Sequence, residues 1–136
     1  MTPREILVST RTIAVFWANP RTSAPAYYVP AYLAGAGYRV YPVHPAAVHQ
    51  DKTLWGQPML QRLADVPEPI DLIDVFRRPE AIPDHVPEIL ALDPLPKVVW
   101  FQSGIVNDVA AAALRQAGIT VVQDRCTLAD HRSFGL

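Results

Sequence analysis

Three polar residues, Arg21, Thr22 and Ser23, stand between a buried apolar run and a segment with helical character. A guanidinium, two hydroxyls and the free backbone amides of a helix start are groups that bind phosphate in proteins. These residues are therefore the best phosphate-binding candidates in the chain. Solvated loop residues have the same composition, so the sequence leaves that alternative open.

Trp17 stands at the start of the same turn, where the apolar run ends. Its flat indole could stack on a ring of a bound ligand or line a channel for an aliphatic group, since aromatic faces suit both. It could also fill the pocket and exclude a ligand, or pack beneath the turn. The sequence favours these structural roles.

Further candidates follow two later apolar runs. A neutral imidazole at His44 can donate a hydrogen bond to a hydroxyl group, although a histidine before Pro45 is also an ordinary turn residue. Arg77 and Arg78 are adjacent at the end of another run. One of them could bind a phosphate while the other serves as a surface charge, and the sequence does not choose between them.

No catalytic centre is assembled by the sequence, which has no Ser-His-Asp constellation and no paired carboxylates at a suitable spacing. His44 and His49 lack a third convergent ligand, so no metal site is predicted. Asp130 and His131 are as typical of a terminal salt bridge as of a proton-transfer pair. Cys126, beside an arginine, could be a reactive thiol, but a buried and inert cysteine is the commoner case. We expect a binding protein rather than an enzyme.

The elements that must position these residues can be recognised from hydrophobic runs. Runs rich in valine, isoleucine and aromatic residues predict strands at 12–17, 38–43, 71–76, 97–102 and 119–124. Several are apolar on both faces, as parallel strands covered by helices are. The clearest helix begins after Asn107 and ends at Gly118. The first helix is expected to begin only near Tyr27, because Pro30 fits best in a first turn or at a kink.

Strands and helices alternate along the chain, which predicts an α/β fold with a doubly wound parallel five-stranded sheet. The whole of 1–136 is expected to form a single domain, with its core at about 12–132. The expected strand order is 3-2-1-4-5, with ligands bound at the carboxyl ends where the order reverses.

The composition excludes several classes of protein. The chain has 136 residues, a net charge of −1 and 50% hydrophobic residues, as expected of an ordinary folded soluble domain. It has no clustered lysines and arginines that would bind nucleic acid, and no apolar run near the roughly eighteen residues of a membrane span. The start, 1–10, does not have the pattern of a secretory signal. A single cysteine suits a reducing compartment, so we expect a cytoplasmic protein.

With its elements placed, the chain resembles the small stand-alone CoA-binding proteins, whose Rossmann-like domain is shared with succinyl-CoA synthetase. The resemblance runs from about Thr12 to Arg132. It rests on four blocks in order, each at the end of a predicted strand: "YYVPAYLAGAGYRVYPVHP" (27–45), "IDLIDVFRRPEAIPDHVPEIL" (70–90), "VVWFQSGI" (98–105) and "VVQDRC" followed by "DH" (121–131).

The resemblance implies that the chain binds coenzyme A or an acyl-CoA as a small-molecule ligand, without chemistry by the domain itself. It implies that the first turn and helix hold the pyrophosphate and that the ends of the second and third strands border the adenosine. The residues expected at the CoA site on this basis are Trp17, Ala18, Asn19, Arg21, Thr22, Ser23, Tyr28, His44, Pro45, Phe76, Arg77, Arg78, Gln102 and Gly104.

The chain departs from related sequences in the turn itself. Related sequences commonly have a glycine at the position of Trp17 and an arginine near Ala24. A glycine lets a phosphate approach the backbone, and an arginine adds a bidentate cationic clamp. Since this chain has neither, its hold on a phosphate is expected to be weakened.

Two alternatives follow from these departures and from the fold. The chain could be a nucleotide-domain relic that has lost its ligand and acts as a partner-binding or regulatory module. A dinucleotide-dependent oxidoreductase is disfavoured, because no G-x-G-x-x-G motif follows the first strand. A homodimer is compatible with so small and apolar a domain, although no motif supports it.

Overall fold

A five-stranded parallel sheet forms the centre of the computed structural model, which describes all 136 residues. The strands are β1 (Thr12–Phe16), β2 (Arg39–Val43), β3 (Thr53–Leu54), β4 (Gln57–Pro58), β5 (Leu72–Val75), β6 (Val98–Phe101) and β7 (Thr120–Val122), of which β3 and β4 form a separate antiparallel hairpin. The helices are α1 (Pro3–Ser9), α2 (Pro25–Gly35), α3 (Val86–Leu90), α4 (Asp108–Gln116) and α5 (Thr127–Ser133). 3-10 helices lie at Ala47–His49, Leu63–Asp65 and Pro79–His85. The prediction of a single α/β domain with five parallel strands is confirmed.

The order of the strands is β2-β1-β5-β6-β7, and the predicted order 3-2-1-4-5 was wrong. When only the five strands of the parallel sheet are numbered along the chain, the order is 2-1-3-4-5, which is the other common arrangement of a doubly wound sheet. The hairpin of β3 and β4 follows β2, and Leu60 forms a parallel bridge with Val43 at the outer edge of that strand. Since this edge is covered, β5 pairs with the free side of β1. The order therefore reverses between β1 and β5.

Apolar side chains cover both faces of the sheet. In β1, Ile13 and Val15 pack in a cluster with α1 and α2, whereas Ala14 and Phe16 pack on the opposite face in a cluster with α3 and α4. Strands buried on both sides carry no polar alternation, which explains the continuous apolar runs of the sequence.

Helix α2 begins at Pro25, before the predicted start at Tyr27, although Pro30 lies inside it. Pro30 has no amide hydrogen, so the carbonyl oxygen of Ala26 lacks its usual partner within the helix. The amide of Asn19 donates to that carbonyl oxygen at 3.5 Å. The turn before α2 is thereby attached to the helix at the place that the proline leaves free.

The helix termini follow local side-chain rules. Helix α4 begins as predicted, with the Oδ1 atom of Asn107 accepting a hydrogen bond from the amide of Ala110 at 2.9 Å. Helix α1 was not predicted, although Thr2 and Glu5 form a reciprocal capping box that can be read from the sequence. None of the helices has the length and apolar character needed to cross a membrane.

Candidate functional site

The carboxyl ends of β1 and β5 border a crevice, because the chain leaves β1 towards β2 and leaves β5 towards β6. Ligands of doubly wound sheets bind at such a reversal point. A cleft of about 370 Å³ opens there, lined by Trp17, Asn19, Arg21, Ala24, Pro25, Ala26, Phe76, Ser103 and Ile105. Two other surface clefts of about 340 and 370 Å³ lie near the amino ends of the strands. The cleft at the carboxyl ends is therefore the candidate site.

The turn from Trp17 to Ala24 forms one wall of the cleft and is held to β2 by its backbone. The amides of Trp17 and Ala18 both donate to the carbonyl oxygen of Val43, at 2.9 and 3.1 Å. Trp17 has a φ of 74°, in the left-handed region that bulky residues rarely adopt. A glycine adopts this conformation without steric cost, which gives a physical reason for the glycine that the family resemblance places here.

This backbone conformation predicts that Trp17→Gly is more stable than Trp17→Ala by about 1 kcal/mol. Both variants lose the same indole contacts, so their difference isolates the cost of a Cβ atom at this φ. The measurement is the free energy of unfolding in urea at neutral pH. Equal stabilities of the two variants would show that the turn relaxes to another conformation.

The indole of Trp17 packs among aromatic rings at the end of the sheet. Its ring centroid lies 4.6 Å from that of His44, 5.2 Å from that of His85 and 5.5 Å from that of Phe16. The guanidinium carbon of Arg77 lies over the ring, 4.0 Å from its centroid. The side chain is thus directed towards residues that follow β2 and β5, and a cation–π contact covers it.

Both histidines beside Trp17 are favoured in the neutral form. Burial lowers the pKa of His44, as do the nearby His49 and Arg77. Burial also lowers the pKa of His85, with Arg77 acting in the same direction. The Nδ1 atom of His44 accepts a hydrogen bond from the amide of Ala46 at 3.0 Å, so the neutral ring carries its proton on Nε2. His44 can therefore donate one hydrogen bond from Nε2.

The three arginines at the carboxyl edge of the sheet differ in the residues that they contact. Arg77 stacks on Trp17, and its Nε atom lies 3.3 Å from Nε2 of His85. Arg78 lies on the surface, with its Nε atom 3.6 Å from Oε1 of Glu80. Arg21 lines the cleft and its guanidinium has neither an ion pair nor a hydrogen bond. Arg21 is therefore the cation available to a ligand in the cleft.

A buried polar cluster lies beneath the loop that follows β6. The Nε2 atom of Gln102 donates to Oδ1 of Asp74 at 2.5 Å and to Oγ1 of Thr127 at 2.7 Å, and the Thr127 hydroxyl donates to Oδ2 of Asp74 at 3.1 Å. Burial raises the pKa of Asp74 to about 7, although both hydrogen bonds act in the opposite direction. The cluster joins β5, the end of β6 and the start of α5.

The structure brings only part of the predicted site together. Trp17, Asn19, Arg21 and Phe76 line the cleft. The other predicted residues lie outside its lining: Ala18 and Gln102 are buried, and the rest are Thr22, Ser23, Tyr28, His44, Pro45, Arg77, Arg78 and Gly104. Cys126 is half-buried against the cluster of α1 and α2 and does not line the cleft.

Sequence reasoning missed several residues of the cleft and its surroundings. Ala24, Pro25 and Ala26 form the start of α2 and have no chemical signal of their own. Ser103 follows the predicted Gln102 directly and could have been found as its neighbour. His85 contacts Trp17 from a 3-10 turn, and nothing in the local sequence indicates that contact.

Known proteins resemble this chain both in sequence and in structure. A family model described as "CoA binding domain" matches residues 11–132. The chain is 34% identical over 128 residues to the uncharacterized protein YneT of Bacillus subtilis (strain 168), covering 94% of this chain and 90% of that protein. Among solved structures it is similar to cell-free ID.343 from Thermus thermophilus, with 46% identity, a TM-score of 0.90 and 98% of each chain covered. It is also similar to a hypothetical protein from Pyrococcus horikoshii OT3, with 31% identity, a TM-score of 0.86 and 98% and 92% of the two chains covered.

Proposed function

Because this chain belongs to the CoA-binding domain family, we propose that it binds coenzyme A or an acyl-CoA in the cleft at the carboxyl ends of β1 and β5. The observation that carries the proposal is the coincidence of the family match with an open cleft at the reversal point of the sheet. The cytoplasm is the proposed location, since the chain's one cysteine suits a reducing compartment.

The lining of the cleft fits part of such a ligand. Phe76, Ile105 and Pro25 offer apolar surface for the pantetheine arm, and Arg21 offers a free guanidinium to a phosphate. The Ala24 cap of α2 provides no side-chain hydrogen bond to the helix start. Pro25 has no amide hydrogen and the amides of Tyr27 and Tyr28 donate to the carbonyl oxygen of Ala24, so a phosphate there could accept a hydrogen bond from the amide of Ala26.

The same lining favours binding without catalysis. Arg21 is the one ionisable side chain among the residues of the cleft, and the neighbouring Ser103 is exposed. A general base or an activated nucleophile would require a second titratable group within hydrogen-bond reach of the reacting atoms. The role proposed is therefore to hold or present the ligand.

Saturating CoA should raise the melting temperature of the protein. At a hundredfold excess over the dissociation constant the ligand stabilises the native state by about 2.7 kcal/mol, or roughly 8–12 °C for a domain of this size.

Arg21→Gln should weaken CoA binding by about three- to tenfold in isothermal titration, because a charge-assisted contact is lost. Arg4→Gln is the matched control, since Arg4 is exposed on α1 and lies outside the cleft. Absence of any thermal shift at millimolar CoA would contradict the proposal.

A second candidate function is a ligand-free module that acts through a protein partner. The observation that favours it is Trp17, whose indole fills the space between His44 and Arg77 at a φ normally reserved for glycine. On this alternative, the unmodified protein shows no thermal shift with CoA, whereas Trp17→Gly gains one. A shift of the same size in both proteins would remove the reason for considering it.

A further inference from the structure

The crevice at the carboxyl edge is divided by Trp17 into two parts. The indole packs against His44, which follows β2, and against His85 and Arg77, which follow β5. On the side of β6, the cleft remains open between the turn from Trp17 to Ala24 and the residues Ser103 and Ile105. One part of the crevice is filled by the protein itself, and the other is accessible.

The filled part has the chemistry of a slot for a flat heteroaromatic ring. Two imidazoles and a guanidinium approach the indole at 4.6, 5.2 and 4.0 Å, distances typical of aromatic and cation–π packing. A purine would stack on the same groups, but Trp17 already makes these contacts. The backbone holds the indole there at a φ of 74°. Such a conformation persists only where the surrounding structure fixes it.

The arginines near the crevice also fall into two groups, those with a partner in the protein and one without. Arg77 is committed to Trp17 and His85, and Arg78 lies beside Glu80, so both cations after β5 already have partners. Arg21 has no such partner and lines the open part. The positive charge that has no partner in the protein therefore lies in the lining of the open cleft.

The size and lining of the open cleft define what it can enclose. Its volume of about 370 Å³ is near the lower end of the roughly 300–1,000 Å³ of small-molecule sites. Its walls are mostly apolar, with polar groups at Asn19, Arg21 and Ser103. A slender chain containing amides and ending in a phosphate matches this combination, whereas a chain with a stacked nucleotide needs the slot as well.

We propose that this site recognises the phosphorylated pantetheine arm of its ligand and makes no stacking contact with an adenine, whose slot is occupied by the indole of Trp17. This inference rests on the proposed function, since it concerns the same cleft. It specifies the ligand class as phosphopantetheine compounds, of which CoA is one, with the adenosine end left in solvent.

Isothermal titration with three probes tests the proposal: CoA, 4′-phosphopantetheine, and adenosine 3′,5′-bisphosphate, which is the remaining half of CoA. In the unmodified protein, CoA and phosphopantetheine should bind with dissociation constants within about threefold of each other. The bisphosphate should show no binding up to about 1 mM. In Trp17→Gly, the affinity for CoA relative to phosphopantetheine should rise by about tenfold, because the slot is opened to the base.

Trp55→Gly is the matched control, because Trp55 also has a left-handed backbone, with a φ of 53°, and lies outside the cleft. It should leave the ratio of the two affinities unchanged. If the unmodified protein binds CoA more than about tenfold more tightly than phosphopantetheine, or binds the bisphosphate equally well, the adenine is recognised and this inference fails while CoA binding stands. If none of the three probes binds, the proposed function fails together with it. The comparison in the unmodified protein decides the matter even if Trp17→Gly does not fold.

Discussion

Between about pH 4 and pH 8, the free energy of unfolding of the unmodified protein should fall by up to about 4 kcal/mol because of Asp74, and replacing Asp74 by asparagine should abolish this fall. Asp74 is completely buried, and burial raises its pKa to about 7. The ordinary pKa of an aspartate is 3.8, so the shift is about three units, each worth about 1.36 kcal/mol. An asparagine cannot ionise, and its amide can still form hydrogen bonds with Gln102 and Thr127.

The sign follows from the number of protons bound by each state. Between the two pKa values the folded protein holds the proton of Asp74 and the unfolded chain has lost it. The contribution of Asp74 to stability is therefore complete below about pH 4 and is lost as the pH rises through about 7. Asp74→Asn should equal or exceed the unmodified protein in stability at pH 8, and the advantage should shrink towards acid pH.

Urea unfolding at a series of pH values from about 4 to 8 measures this difference directly. Asp51→Asn serves as the control, because the Asp51 side chain is 78% exposed and pairs only with Lys52, 3.9 Å away. Its stability should follow that of the unmodified protein across the series. Parallel curves for Asp74→Asn and the unmodified protein would show that Asp74 is ionised in the folded state throughout.

Truncating Trp100 should produce the other large effect, a loss of about 3–5 kcal/mol for Trp100→Ala. Trp100 is fully buried in β6, and its Nε1 atom donates to the carbonyl oxygen of Arg125 at 2.7 Å. This contact attaches β6 to the loop before α5. Trp100→Phe keeps most of the apolar volume and should lose about 1–3 kcal/mol, largely through the hydrogen bond.

Trp55 supplies the comparison for that second variant. The Nε1 atom of Trp55 has no hydrogen-bond partner, so Trp55→Phe removes indole volume without breaking a hydrogen bond. Unfolding free energies in urea should therefore rank Trp55→Phe as clearly less damaging than Trp100→Phe. Equal losses would mean that the bond from Trp100 to the Arg125 carbonyl contributes nothing measurable.

The features of the fold that depend on local pattern could be predicted from the sequence. The five apolar runs became the five parallel strands, and Asn107 caps α4 as expected. The strand order could not be obtained in the same way, because it depends on how the segment between β2 and β5 packs against the edge of β2. Leu60, which forms the bridge to Val43, lies outside the predicted strands, so nothing in its local sequence indicates the bridge.

The candidate site could likewise be predicted only in part from the sequence. Arg21 was predicted because a guanidinium beside a helix start can bind phosphate, and Trp17 because its aromatic face can contact a ligand; both line the cleft. The packing of Trp17 against His85 and Arg77 depends on a side-chain conformation and on contacts between separate loops. The sequence therefore raises the question of whether Trp17 fills the pocket, whereas the direction of its indole depends on the tertiary fold.

The covered border of β2 also bears on self-association. A sheet grows from one molecule into the next only where a terminal strand offers unpaired backbone groups. On β2, Leu60 donates to the Pro42 carbonyl oxygen and accepts from the amide of His44, both at 2.9 Å, so the chain's own loop takes these positions. On β7, which spans three residues, Arg115 donates to the carbonyl oxygen of Val121 at 3.0 Å. The molecule's own residues thus occupy backbone groups at the end of β2 and one carbonyl group of β7, which disfavours the addition of a strand from another copy at these positions.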